Sequence, residues 1–428
     1  MSSILMHRPV LAWALYDWAN SAFATTVMAG FFPVFYSAIS GDLSIQDAQF
    51  WFNVALFGAS LLVAIAAPIL GAIADRGGSR KRFLALFAMI GILMTAGLVW
   101  VHAGQWPLGL ALFALGTVGF SGANVFYDSM LPDVSSARDF DLVSAFGYAL
   151  GYVGGGLLFA VNVLMVKNPE WFGLSDPGEA VRVSFLSVAV WWALFTVPLL
   201  RFVKETPTQD PAPPARAIRE GWRQLRRTLS EIRKLRAILL FLVAYWIYID
   251  GVNTVIKTAV FFGDRVLGLD QSALIAALLV TQFVAFPAAL LFGWLGQRIG
   301  ARPAILIGLA VYFLAIVYAW RFLRTAEDFL ILAIAIGLVQ GGVQSLSRSL
   351  YARLIPVDKS AEFFGFFNMV GKFATILGPL LIALTPLVVP GAGPRDSILS
   401  LSLLFLIGGF LLWRVKPEVV PGGSNGRA

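Results

Sequence analysis

The sequence predicts an all-α membrane protein with twelve transmembrane helices in two pseudo-symmetric six-helix bundles. Three observations lead there. Of 428 residues, 58% are hydrophobic and only 13% charged, about half the charged share of an ordinary soluble domain, so lipid must be the solvent for most of the surface. Apolar runs of about 20 residues, the length that crosses the hydrocarbon layer as a helix, recur along the whole chain. A loop pattern rich in glycine and arginine occurs twice, once in each half.

Closed β-barrels are the other way to satisfy a backbone in lipid. They require alternation over segments of about 10 residues, and runs such as Leu61 to Ile73 do not alternate. The expected spans are 10–39, 50–74, 83–102, 107–131, 142–166 and 183–203, then 237–262, 272–296, 303–322, 328–353, 363–389 and 397–414. The first run is too long for the apolar core of a secretory signal and reads as a span. The domains expected are a first bundle at 1–203, a basic linker at 204–236, a second bundle at 237–414 and a tail at 415–428. The linker opens with the extended stretch Pro207 to Pro214 and continues into a basic amphipathic helix around Arg219 to Lys234.

Lysine and arginine accumulate in cytoplasmic loops. Lys167, Arg182, Arg265, Arg321, Arg324 and Arg395 fall on one side and Lys257, Arg348 and Lys372 within spans, while the rest of the 32 lie with the chain termini. Both termini are therefore expected in the cytoplasm of a multi-pass protein, most simply of a bacterial inner membrane. The net charge of +8 is then a consequence of topology, and nucleic acid is not an expected partner. The partners expected are the bilayer, a small solute and, in one reading, protons, with the chain acting as a monomer. No cysteine is present and the two histidines, His7 and His102, lie near span ends. That leaves no thiolate or histidine cluster for a metal, no cofactor site and little to build an intramembrane enzyme from. The chain also lacks a P-loop, so energy must come from a gradient or another subunit.

The duplicated loops read Gly71-Ala-Ile-Ala-Asp75-Arg76-Gly77-Gly78-Ser79-Arg80-Lys81 and Gly293-Trp-Leu-Gly-Gln297-Arg298-Ile-Gly300-Ala-Arg302. Gly71, Arg76, Gly78 and Arg80 match Gly293, Arg298, Gly300 and Arg302 at a constant offset. In the first copy Gly71 permits close helix approach, Gly77 and Gly78 a tight turn, and Asp75 can face the N-terminus of a neighbouring helix. With Arg76, Arg80 and Lys81 beside it, such a cluster can latch one half against the other. Asp128 is expected to join it as partner of the arginines after span two, and Arg298 and Arg302 to form a weaker second copy, since Gln297 replaces the acid. The alternative is that these basic residues serve topology alone.

The first loop resembles the signature of the major facilitator superfamily. Beyond it, Tyr16-Asp17-Trp18-Ala19-Asn20-Ser21-Ala22-Phe23, Asp250-Gly-Val-Asn253-Thr, the stretch from Gln340 to Pro356, and Glu362-Phe-Phe-Gly365-Phe-Phe-Asn368-Met-Val-Gly371-Lys372 resemble the Unknown Major Facilitator family. That family includes a yeast vacuolar amino-acid effluxer linked to autophagy. The resemblance implies secondary transport by alternating access, with amino acids the leading substrate class and export the leading direction. Amphiphilic drugs or lipid-like molecules are the alternative cargo, and a non-transporting receptor or scramblase the alternative function.

Ionisable groups at membrane depth cost about 2.5–3.5 kcal/mol each on insertion scales, so they are candidates for function. Asp17, Asp128, Asp250, Lys257 and Arg348 lie on spans one, four, seven and ten, the helices that the resemblance places around a central cavity, with Lys372 on span eleven. Asp17, with Asn20 nearby, is read as a proton carrier or as the partner of a cavity cation. Asp250, Asn253 and Lys257 share one face of span seven. Lys257 could bind a carboxylate and Asp250 an ammonium, or the two could be neutralised by other spans. Gln344 and Arg348 make span ten polar, and Arg348 could hold an anion bidentately, form a gate, or reach back to the interface. Lys372 is expected to pair across the bundle, cap a gate or touch the solute.

Overall fold

The computed structural model describes residues 2–206, 214–232, 235–391 and 393–416. The expected stretch 207–213, Lys234 and the tail from 417 onward lie outside the described residues. Twelve helices are long and apolar enough to cross a membrane: Arg8–Ile39, Ile45–Gly77, Arg80–Trp100, Trp106–Ser129, Phe140–Lys167, Pro177–Phe202, Arg236–Asp264, Gln271–Ile299, Ala301–Phe322, Ala326–Leu354, Val357–Val388 and Pro394–Arg414. They are numbered here as spans one to twelve. Several start earlier than their apolar runs because polar caps carry the helix past the hydrocarbon boundary. Ser44 accepts from the amide of Asp47 ahead of span two, and Asp176 from the amide of Glu179 ahead of span six, satisfying amides that a helix start leaves unpaired.

Two spans are not uniform helices. Span one runs as an α-helix over Arg8–Ala22, widens to a π-helix over Phe23–Phe31 and returns to α over Phe32–Ile39. Extended π segments are rare and concentrate at functional sites. Span eleven breaks between Ser360–Phe373 and Leu377–Val388.

Spans one to six and seven to twelve form the two bundles. In the first, span one packs on five and six, three on four and six, and two on four; in the second, eight packs on ten, seven on twelve, and nine on ten and twelve. Between the bundles, span two lies along eleven and span eight along five. This is the pairing that an approximate two-fold exchange of the halves requires.

The two matching loop glycines make these crossings possible. A Cβ on Gly71 would overlap the backbone carbonyl of Ala361, and one on Gly293 would sit 2.5 Å from the Cβ of Ala145. Both glycines lie at the end of the molecule that carries the Gly71–Lys81 loop, called the motif end below.

The linker helix, Pro214–Ile232, packs on span two. Gly221, Gln224, Leu225 and Thr228 form its buried stripe, while Arg219, Trp222, Arg223, Arg226 and Arg227 face outward. The i, i+3, i+4, i+7 spacing of the buried set is that of an amphipathic helix with one docked face.

Candidate functional site

Arg348 is the centre of the site. It comes from span ten, is fully buried, and its guanidinium donates across the halves to Asp128 Oδ1 at 2.9 Å, to Ser144 Oγ at 2.9 Å and to the Ser144 carbonyl at 2.9 Å. Asp17 Oδ2 stands 3.6 Å away and receives the Tyr127 hydroxyl at 2.8 Å. The rings of Tyr148, Trp13 and Tyr127 surround the guanidinium at 4.4, 4.8 and 5.3 Å from its carbon, so the cation is held by aromatic faces as well as by acids. A buried arginine with this many partners is fixed in one orientation. It does not reach back to the membrane interface.

Asp128 completes the cluster by accepting from Asn368 Nδ2 of span eleven at 3.2 Å. The sequence-based expectation that Asp128 pairs with the arginines after span two is corrected here: its partners are Arg348 and Asn368, both from the other half. Arg80 goes instead to Asp133 at 3.2 Å and to the Ser129 carbonyl at 3.2 Å. Asp128 sits near the end of span four and points between the bundles, whereas Asp133 lies in the following turn, within reach of the loop.

The latch residues of the first loop do join the halves. Both oxygens of Asp75 accept backbone amides at the start of span eleven, from Ala361 at 3.1 Å and Glu362 at 2.9 Å, placing a carboxylate on a helix N-terminus. Arg76 donates to Gln224 Oε1 at 2.6 Å, and Gln224 donates onward to Glu362 Oε2 at 2.6 Å. The linker helix thus bridges span two to span eleven. Gly78 closes span two with φ +54, and Lys81 Nζ donates to the Val203 carbonyl at 2.8 Å, tying the loop to the start of the linker.

The second copy behaves differently. Arg298 is exposed, with its guanidinium 5.3 Å from the ring of Trp294, and Arg302 donates to the carbonyls of Val415 and Trp413 in its own half. On that side the halves are joined by Arg353 of span ten, which forms a two-bond pair with Asp141 of span five at 2.7 and 2.8 Å, and by Ser349, which also donates to Asp141.

Further from the motif end the contacts thin. Tyr152 donates to Gln344 Oε1 at 3.3 Å, and Gln282 Nε2 to Thr25 Oγ1, within the π segment of span one, at 2.8 Å. Among the described residues, the hydrogen bonds between the halves lie level with this pair or on its motif side. The structure is closed at the motif end.

On the other side of Arg348 from the motif end lies a cleft of about 210 Å³ between spans seven and eleven, lined by Thr254, Lys257, Thr258, Thr375, Pro379, Ile382 and Ala383. Asp250 lies one helical turn before Thr254 on span seven and is fully buried, and its oxygens are occupied. They accept the amides of Ile376, Leu377 and Gly378 at 2.9, 2.8 and 2.8 Å and the Thr254 hydroxyl at 3.2 Å. These amides open the second segment of span eleven, so Asp250 caps the helix restart. Asn253 donates to the Ala374 carbonyl at 3.0 Å in the same break. Asn20 bonds Asn124 of span four at 2.6 Å.

The candidates thus separate: Asp17, Asp128 and Arg348 come together in one cluster, Lys257 lines the cleft, and Lys372 lies in the last turn before the break in span eleven. Sequence reasoning missed Asp141, Ser144, Asn368 and the Gln224–Glu362 pair. Asn368 and Glu362 stood in recognised family segments, which was their only signal. Asp141 reads as an ordinary acid at a helix start, and nothing distinguishes Ser144 or Gln224 in the sequence.

Two six-helix bundles meeting at a buried ion cluster, with a loop latch at one end and a cleft beyond, define a major facilitator transporter. The chain covers 96% of its length against the proton:xylose symporter XylE, and 95% of that chain, with a TM-score of 0.71 at 14% identity. Residues 52–418 match the family described as vacuole effluxer Atg22 like, and the chain belongs to that family. It is 38% identical over 413 residues to YxiO of Bacillus subtilis, an uncharacterized MFS-type transporter, covering 95% of this chain and 94% of that protein. It is 24% identical over 437 residues to autophagy-related protein 22 of Eremothecium gossypii, covering 88% and 85%.

Proposed function

We propose that the chain is a secondary active exporter of a small solute, an amino acid or related zwitterion, working by alternating access with proton coupling at Asp17. The halves are taken as 1–203 and 237–414, joined by the linker 204–236, with the motif end in the cytoplasm of a bacterial inner membrane as the lysine and arginine placement argues. The observation that carries this reading is the Arg348 bridge to Asp128 and Ser144. It is a buried tie between the halves, and opening the motif end must break it.

Breaking it has an electrostatic consequence. Arg348 leaves with the second half, and Asp17 and Asp128 remain together in the first. Two carboxylates left without their cation in a poorly solvated site repel, and one bound proton relieves that repulsion. Motif-end opening would then be tied to proton uptake at Asp17 or Asp128, and closure around Arg348 to proton release. The family membership supports amino acids as the substrate class, and Lys257 supplies a cation for a carboxylate.

A flux screen of purified protein in liposomes tests this, across amino acids, peptides and amphiphilic drugs, with and without a pH gradient. A pH-gradient-driven amino-acid flux that becomes uncoupled in Asp17→Asn is the expected result. Absence of gradient-dependent flux for any amino acid would remove the substrate class, and undiminished proton movement in Asp17→Asn the coupling role.

A further inference from the structure

The linker helix Pro214–Ile232 carries five arginines against two glutamates, and Glu220 is taken by Arg216 at 2.7 Å. Its docked stripe fixes how it lies. A Cβ on Gly221 would stand 3.0 Å from Ile73, one turn before span two ends at Gly77, and Gln224 reaches Glu362 at the start of span eleven. The helix therefore crosses the motif-end rim of spans two and eleven, where hydrocarbon gives way to headgroups. Two kinds of side chain share its outer surface. Ile218 and Trp222, one turn apart on the edge beside the docked stripe, are 58% and 46% exposed. Arg219, Arg223 and Arg226 are exposed on the face beyond them, with the Arg226 guanidinium 6.0 Å from the Trp222 ring. None of these five residues belongs to the latch or to the cleft. An apolar edge beside a basic face, on a helix lying at the ends of spans, matches the layering of a lipid leaflet, with tryptophan at the acyl boundary and arginine at the phosphates. A soluble polyanion would meet the arginines but leave Ile218 and Trp222 in water.

We propose that the linker helix binds anionic phospholipids of the motif-end leaflet, with Arg219, Arg223 and Arg226 on headgroup phosphates and Ile218 and Trp222 at the acyl boundary, and that this contact steadies the latch through Gln224. Each arginine close to an anionic leaflet strengthens binding roughly five-fold, and the planar guanidinium suits a phosphate. The route to the latch is short. Gln224 follows Arg223 in the same helix, accepts from Arg76 and donates to Glu362, so a leaflet that holds the helix in place also holds spans two and eleven together. Neither the solute nor the energy source enters, and the lipid contact stands or falls independently of the transport reading.

The chain has no cysteine, so Ile218→Cys carries a single bimane fluorophore on the apolar edge. In phosphatidylcholine nanodiscs, its quenching is measured with small fractions of spin-labelled phosphatidylglycerol or spin-labelled phosphatidylcholine, alone and with Arg219, Arg223 and Arg226 all changed to glutamine or all to lysine. The expected result is quenching at least five-fold stronger per molecule of the anionic lipid at low salt. That preference should disappear in the glutamine variant, persist in the lysine variant and weaken in about 1 M salt, where charges are screened within roughly 3 Å. Equal quenching by the two lipids, quenching by neither, or a preference that survives the glutamine changes or high salt overturns the lipid contact. Maleimide labelling of Ser345→Cys, buried between the halves, reads the latch. It should be several-fold slower in mixed phosphatidylglycerol and phosphatidylcholine than in phosphatidylcholine alone, with no such difference in the glutamine variant. Equal labelling rates in the two lipids overturn the link to the latch.

Discussion

Arg348 and Asp128, from opposite halves of the molecule, meet at 2.9 Å, both buried, and the Ser144 hydroxyl and carbonyl accept from the guanidinium beside them. A buried ion pair of this kind adds little net stability compared with apolar packing, but removing one partner alone costs about 3–5 kcal/mol because the other charge is left unpaired. The cost falls on the arrangement closed at the motif end, since only there does Arg348 meet Asp128.

Arg348→Gln should therefore open the motif end. The chain has no cysteine, so a single Ser345→Cys substitution reports on that interface directly: Ser345 is fully buried and should react slowly with a maleimide in membranes. With Arg348→Gln added, labelling is expected to rise at least ten-fold. Unchanged labelling would mean that Arg348 does not hold the halves together.

Gly71→Val should have the same effect by a steric route. A side chain there meets the Ala361 backbone, which cannot give way without moving the start of span eleven. The variant should fold, because the clash is between halves and not within one, yet label fast at Ser345→Cys and transport poorly. Slow labelling with normal flux would contradict the close approach.

Gln224 ties the linker helix into the latch through Arg76 and Glu362. Gln224→Ala removes two hydrogen bonds, each worth about 1 kcal/mol and more where a charge is involved. Gln224→Glu sets a second carboxylate against Glu362 while retaining the Arg76 contact. Faster amide exchange across Pro214–Ile232 is expected in both, together with a several-fold increase in Ser345→Cys labelling. A linker helix that exchanges as slowly as in the parent would show the bridge to be incidental.

Asp250→Asn separates a structural role from a solute role. An asparagine keeps one acceptor but brings an NH2 group against the amides of Ile376, Leu377 or Gly378, so the restart of span eleven loses part of its cap. A loss of about 1–2 kcal/mol is expected, as for other helix caps, seen as a lower unfolding temperature in detergent and faster exchange at 374–380. A raised KM with unchanged thermal stability would instead place Asp250 on the solute.

The spans were legible because hydrocarbon imposes length and apolarity on each one separately, a local rule that a single sequence states twelve times. Asp75 was legible for a similar reason: an acid beside glycines at the end of a span has few uses other than a neighbouring helix N-terminus. Pairings across the halves were not. Arg348 could be identified as costly at its depth, but whether it faced the interface, a solute or Asp128 depends on how span ten sits against spans four and five. Asp250 was misleading in the same way. Its burial cost is met by three amides that become free only because span eleven breaks after Phe373, and the one sequence signal for that break is the Gly378-Pro379 pair just beyond it. The π segment of span one is equally silent, for Phe23 to Phe31 reads as an ordinary apolar run.

The central claim, that the halves rock apart at the motif end during each cycle, is tested most directly by tying that end shut. Gly293 and Ala145 face each other between spans eight and five, and a Cβ on Gly293 would stand 2.5 Å from that of Ala145, so a small spreading reaches the roughly 3.8 Å Cβ separation of a disulfide. In the Ala145→Cys, Gly293→Cys double variant, solute flux into or out of liposomes is measured after oxidation and again after reduction. Alternating access expects flux to vanish when the bridge is complete and to return when it is reduced. Full flux through quantitatively cross-linked protein would contradict it.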